Sequence, residues 1–201
     1  MTFLEMLERA YWAIDDTYTT HANIAVADMK LIINEGLQDL APAINYITSA
    51  TLTLTSEASA LPADFLEPLR LEWATDEDDE IPQIYDLDEK ENFYESFFIG
   101  GYTTLTIFTD ATVADGTQIK LWYKAKPAVL SADTDTPSTL PTRFHHFIPE
   151  VYVKSIWALR NDKLNTYSGL MSVWEGVRAE VNRDTSISRN RVANFTKKQV
   201  W

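Results

Sequence analysis

Cysteine is absent from this 201-residue sequence, and histidine occurs only three times. Without cysteine there is no disulfide framework, no thiolate metal site and no thiol nucleophile, so packing or assembly must hold the fold. No apolar run approaches the ~18 residues that cross a bilayer, and residues 1–16 carry acids where a secretory signal would carry bases. We therefore expect a protein without a membrane segment that is made in the cytoplasm.

Basic residues are also scarce, because 17 Lys and Arg stand against 30 Asp and Glu, for a net charge of −13. This balance disfavours a protein that grips duplex DNA, since such proteins neutralise phosphates with clustered bases. The segment from Arg183 to Trp201 nevertheless contains five bases and one acid, which leaves −17 on the preceding residues. An acidic body with a basic end predicts that the two regions meet different partners.

Catalytic signatures are missing as well: the sequence contains no GxSxG, no P-loop and no GxGxxG. His145 and His146, with Glu150 nearby, form the only cluster that suggests a metal. Adjacent histidines project in different directions and Pro149 interrupts the helical spacing, so a structural role is favoured. The acidic run 76–80 lacks the spaced oxygens and glycine of a calcium loop and is interpreted as a solvated loop. We expect no enzyme and no cofactor, although a carboxylate pair at glycosidase spacing stays open.

Apolar residues at helical spacing predict two helices near each end of the chain. Thr2 and Glu5 form the pattern of a capping box at the first helix, and Pro42 stops the second. Pro149 suits the first turn of the third helix, and the fourth follows the break at 161–162. The four stripes are Phe3, Met6, Leu7, Ala10 and Ile14; Val26, Met29, Ile33, Leu37 and Leu40; Ile148, Tyr152, Ile156 and Leu159; and Tyr167, Met171, Trp174, Val177 and Val181.

The middle of the chain alternates apolar and polar residues instead, which is the period of a half-buried strand. At least four strands are expected between residues 45 and 128, within 51–55, 69–74, 102–108 and 119–124. The fold class is therefore α+β: a helical bundle with an inserted antiparallel β domain and an extended C-terminal tail. The expected regions are helices at 1–44, the β domain and an exposed linker at 45–141, a helical hairpin at 142–182 and a basic tail at 183–201.

Six tryptophans could form a carbohydrate or peptide platform, but Trp73, Trp157 and Trp174 accompany apolar stripes and are better explained by core packing. Trp122 differs, because strand alternation places it on the polar face with neighbouring lysines. An exposed aromatic ring at that position is a candidate subunit contact. A carbohydrate-binding or carbohydrate-degrading protein is the alternative from a different functional class.

Three segments carry a resemblance to a known family. The run Leu61 to Leu66, LPADFL, resembles the element that opens the β region of tailed-phage head-to-tail adaptors. The run Ile32 to Leu40 is similar to part of their N-terminal helices, and Phe147 to Arg160 with the following aromatic helix is similar to their closing hairpin. Taken together and in this order, the resembling segments cover most of residues 20–182.

The resemblance implies a structural virion protein at the head-to-tail junction, forming a ring of usually twelve copies between the portal protein and a tail or nozzle protein. DNA would pass through the ring without specific binding, and C-terminal extensions would reach the portal. Here the residues that would dock are Arg189, Arg191, Phe195, Lys197, Lys198 and Trp201. Another tail-junction part, such as a stopper or tail-completion protein, is the nearest alternative.

Overall fold

The computed structural model describes the backbone of residues 1–15, 24–92, 95–101, 103–109 and 113–197, and the side chains of the same residues except 76–79, 90–92 and 187–197. The chain divides into two compact units. Residues 1–45 and 127–201 form the helical unit, and residues 46–126 form the β unit. The helical unit therefore includes residues 127–141, which the sequence had assigned to the inserted domain and its exposed linker. Leu130 and Leu140 explain the difference, because both are buried in the helical core.

The described part of the helical unit contains four α-helices, as the apolar periodicity predicted. They are α1 (Phe3–Ala13), α2 (Val26–Asp39), α3 (Lys154–Arg160) and α4 (Leu164–Lys197), with a π-helical turn at Ile148–Val153 leading into α3. The capping box is present: Thr2 Oγ1 accepts from the Glu5 amide, and the Glu5 carboxylate accepts from the Thr2 amide. The α+β class is confirmed.

The β unit consists of two antiparallel sheets that share one apolar core. One has the order β1-β7-β3-β4 and the other the order β2-β6-β5. The strands are β1 (Ile47–Thr53), β2 (Ala58–Ala60), β3 (Phe65–Trp73), β4 (Asp76–Ile81), β5 (Glu95–Gly100), β6 (Thr104–Thr109) and β7 (Gln118–Ala125). Along β7, Ile119, Leu121 and Tyr123 are buried, whereas Lys120, Trp122 and Lys124 are only partly so, which confirms the alternation.

Strand β4 corrects the sequence analysis, which had interpreted residues 76–80 as a solvated loop. The segment forms a hairpin with β3, in which Glu72 lies opposite Glu80 and Leu71 opposite Ile81. Ile81 gives the strand an anchor in the core, and β4 is an edge strand, where charged residues are tolerated and discourage pairing with other chains. The acidic composition of residues 76–80 therefore led to the prediction of a loop where the structure has a strand.

Helix α4 is longer than expected. The apolar stripe ends at Val181 and the sequence predicted an extended tail from residue 183, but the helix continues to Lys197. No Pro or Gly occurs between Gly176 and Lys197 to interrupt it, and adding residues to an existing helix avoids the cost of nucleation. The continuation therefore needs no apolar stripe of its own.

Candidate interaction surfaces

The first half of α4 is fixed to the helical unit through Trp174. This side chain is fully buried, its Nε1 donates to Asp39 Oδ2 at 2.7 Å, and its ring lies 5.1 Å from the ring of Tyr152. Val177 and Val181 continue the buried face. The predicted core role of Trp174 is confirmed.

A polar clamp fixes α4 one turn further along. Asn45 Nδ2 lies 3.1 Å from Asn182 Oδ1, 3.1 Å from Thr185 Oγ1 and 3.0 Å from Ser186 Oγ. Thr185 Oγ1 also donates to the Ala43 carbonyl at 3.2 Å. We call these contacts the Asn45 clamp. They hold the helix through residue 186, beyond the end of its apolar stripe.

An ion pair adds to the clamp, because Arg143 Nη2 lies 2.6 Å from Asp184 Oδ1. Asp184 is the single acid of the basic C-terminal segment. The charge of Asp184 is therefore paired within the helical unit. The charged side chains that follow it in the sequence are all basic.

The predicted docking residues lie beyond the clamp. The backbone of Arg189, Arg191, Phe195 and Lys197 belongs to α4, whereas Lys198 and Trp201 lie outside the described residues. Arg191 and Phe195 are one helical turn apart. The proposed docking segment is thus a continuation of an anchored helix.

Trp122, the predicted subunit contact, is partly buried and takes part in a cluster on the polar face of the four-stranded sheet. Its Nε1 donates to Glu72 Oε1 at 2.8 Å, and Lys120 Nζ lies 4.9 Å from its ring centroid. Glu72 is only 2% exposed, with Arg70 Nη2 at 2.9 Å and Lys120 Nζ at 3.7 Å from its oxygens. One edge of the indole is therefore used within the chain, and its contact with another subunit stays a prediction.

The residues once considered for a metal have other partners. His145 is buried and its Nε2 lies 2.8 Å from the Leu140 carbonyl, while Glu150 pairs with Arg9 at 2.8 Å. Burial lowers the pKa of His145, although the hydrogen bond to Leu140 opposes this shift. His146 packs on the ring of Phe147 at 4.1 Å. The described part of the chain has no group of three His, Asp or Glu residues arranged to hold a metal.

Trp12 is a surface residue that the sequence analysis missed. It is 78% exposed on α1 and lies nine residues after Phe3, which places it on the opposite side of the helix from the buried stripe. That position was readable from the sequence, since the stripe Phe3, Met6, Leu7, Ala10 and Ile14 omits it. A large aromatic side chain opposite the core face is a typical contact residue.

These features indicate the functional class of the protein. The structure shows a buried anchor for α4, a helical backbone that continues into the basic segment and an exposed aromatic residue on α1. These features suit a protein that functions by binding other subunits. No helix in the described ranges combines the length and apolar character needed to cross a membrane.

Comparison with known proteins is in accord with that class. The family model described as SU10 adaptor protein matches residues 1–180, and the chain belongs to this family of phage adaptor proteins. Its role is accordingly structural, that of a head-to-tail adaptor in the broad sense, and the family is not normally enzymatic. No curated protein matches the chain.

Proposed function

We propose that the protein assembles as a ring of identical copies, twelve in number, between the portal protein and the tail or nozzle protein of a phage virion. The family match over residues 1–180 carries this proposal. Assembly takes place in the host cytoplasm, and the finished ring surrounds the path of the DNA. Identical copies close a ring through a heterologous interface, in which each copy presents two different surfaces.

The acidic body suits a conduit. Residues 1–182 carry −17, and a negative surface repels the phosphates of passing DNA instead of retaining them. The same charge opposes the association of copies in solution. The isolated protein is therefore expected to be largely monomeric and to form rings on the portal.

The helical segment 187–197, with the residues after it, is proposed to dock on the portal. It lies past the Asn45 clamp, the last described side-chain contact of α4 with its unit, and outside the family match. At 1.5 Å per residue, its eleven helical residues extend about 16 Å. Trp122 remains the proposed contact with a neighbouring subunit on the β unit.

Truncation tests the docking proposal, and the structure fixes where to cut. A chain ending at Asn182 would lose Thr185 and Ser186 from the clamp and Asp184 from its ion pair, so altered docking could reflect a loosened helix. A chain ending at Ile187 retains these contacts. It should keep the melting temperature of the full chain and lose only the helical circular dichroism of the removed residues 188–197. It should also lose binding to the portal protein encoded in the same genome.

A charge variant provides a second test. Arg189→Glu combined with Arg191→Glu should weaken portal binding, whereas the exposed Lys126→Glu, on the β unit, should not. Portal binding by the Ile187 truncation with unchanged affinity would refute the docking proposal and favour a stopper or tail-completion protein. Ring formation is assessed separately by electron microscopy of the portal complex, where the number of copies is counted.

A further inference from the structure

Trp12 lies at a groove of about 390 Å³ lined by Ala13, Asp15, Glu150 and Lys154. Glu5 and Glu8 are exposed on the same side of α1 as Trp12. Glu8 lies one helical turn from each of the other two residues. Glu150 is occupied by Arg9. The groove therefore combines an exposed indole with the carboxylate of Asp15 and the ammonium group of Lys154, and the carboxylates of Glu5 and Glu8 lie beside it on α1. Acids outnumber bases on this surface, which we call the Trp12 groove.

A surface of opposite character occurs at the turn between α3 and α4. Leu159 is 42% and Leu164 62% exposed, so two leucines lie close in sequence at the surface. Arg160 and Lys163 are exposed beside them, and Lys163 Nζ lies 4.2 Å from the ring centroid of Trp157. Asp162 is the one acid in this turn, which we call the leucine corner.

We propose that the Trp12 groove of one copy receives the leucine corner of the next. The two surfaces belong to the same helical unit, each exposes apolar side chains that the unit leaves uncovered, and their charges are complementary. Tryptophan and arginine are among the residues that most often dominate the energy of such contacts, and the flanking charges set partner and register. This inference rests on the proposal that copies lie side by side in a ring.

The pairing joins two different surfaces, so that copies can follow one another around a closed ring. Microscopy on the portal distinguishes this ring from a two-fold dimer in which the same contact forms reciprocally. An isologous pairing of two Trp12 grooves would bring the carboxylates of one copy against those of the other, and a pairing of two leucine corners would oppose their bases. Like charges across an interface are unfavourable. Groove to corner is the arrangement that satisfies both surfaces.

The absence of cysteine permits a direct test, because introduced thiols are the only ones in the chain. Two single variants, Ala13→Cys at the groove and Asn165→Cys beside the leucine corner, leave the indole and both leucines in place. They are prepared separately, mixed at high concentration and treated with a short bis-maleimide, which traps transient contacts irreversibly. Dimers on a denaturing gel should form several-fold faster in the mixture than with either variant alone. A mixture of Ala13→Cys with Val129→Cys is the matched control, since Val129 is 66% exposed on the same unit but belongs to neither surface.

Charge reversal provides the second arm, introduced into the same cysteine variants. Glu8→Arg in the groove partner should reduce the trapped dimer, Arg160→Glu in the corner partner should do the same, and the two together should restore it. Restoration would not be expected if the substitutions merely destabilised each chain.

Three outcomes would overturn the inference. Dimers from Ala13→Cys alone indicate an isologous contact, and dimers with Phe195→Cys in place of Asn165→Cys indicate that the groove receives the C-terminal segment of a neighbour. A mixture no faster than the Val129 control removes the groove as a copy contact. The ring proposal is judged separately by microscopy on the portal, so it can survive the failure of this particular interface.

Discussion

Gly36 offers a prediction in which two opposing effects can be separated. It lies in the interior of α2, and a Cβ added there would meet Tyr152 Cδ1 at 2.7 Å, Tyr152 Cγ at 3.0 Å and Ile148 Cγ2 at 3.3 Å. The Tyr152 ring cannot retreat easily, because the buried Trp174 lies against it. Gly36→Ala therefore forces a rigid ring to move.

The magnitude follows from comparison with Gly176, which lies in α4 with nothing within 4 Å of an added Cβ. Replacing glycine by alanine inside a helix normally raises the free energy of unfolding by about 0.8–1.0 kcal/mol, and Gly176→Ala should show this increase. Overpacking a tight contact costs about 1–3 kcal/mol, so Gly36→Ala should be less stable than Gly176→Ala by that amount. Subtracting the two variants cancels the helix-propensity contribution and isolates the steric cost.

Urea unfolding followed by circular dichroism at the helical minimum provides the measurement, because it reports mainly on the helical unit. A difference of 1–3 kcal/mol corresponds to several degrees in melting temperature for a chain of this size. Equal stabilisation of both variants would show that the contact between α2 and Tyr152 is looser than the distances indicate, and the reasoning would fail.

Three further predictions concern other parts of the chain. Asn45→Ala should speed amide exchange in α4 beyond residue 182 and lower the free energy of unfolding by about 1–3 kcal/mol, since the two protons of the lost amide each make a hydrogen bond worth about 0.5–1.5 kcal/mol. Unchanged exchange would contradict the clamp. Trp122→Phe should lower the free energy of unfolding of the β unit by about 1–2 kcal/mol, because the buried Glu72 loses a donor; near-ultraviolet circular dichroism in urea measures it. The lowered pKa of His145 contributes stability that is complete above about pH 6.5 and is lost as the pH falls toward that lowered pKa. His145→Gln should flatten this part of the pH–stability profile, which is measured by urea unfolding at a series of pH values.

The helices and the main strands could be predicted because their burial is periodic along the chain. Each residue of the stripe Trp174, Val177 and Val181 points to the same core, so spacing alone indicates the helix. Strand β7 is readable for the same reason with a period of two. Strand β4 could not be read in this way, since five of its six residues are acids and show no alternation. Ile81, at its end, is buried in the core. Its pairing with β3 supplies what the local pattern lacks.

The candidate sites were less accessible to sequence reasoning. The partners of Trp122 include Glu72, 50 residues away, and no local pattern encodes that proximity. The Asn45 clamp joins residues about 140 apart and could not be foreseen. Trp12 is different, because its place opposite the apolar stripe was visible in the sequence.

The continuous α4 helix changes how docking on a portal is expected to work. A disordered basic tail would lose about 1–2 kcal/mol of backbone entropy for each residue it orders on binding. Segment 187–197 alone is too short to be a stable helix in water, since isolated helices below about 12–15 residues are marginal. Because the segment continues a helix that Trp174 and the Asn45 clamp hold in place, it needs no separate nucleation and is helical before it binds. The contacts of Trp174 and the Asn45 clamp thus support binding by the C-terminal segment of α4. A substitution at Asn45 should therefore weaken docking, although Asn45 itself lies outside the proposed docking segment.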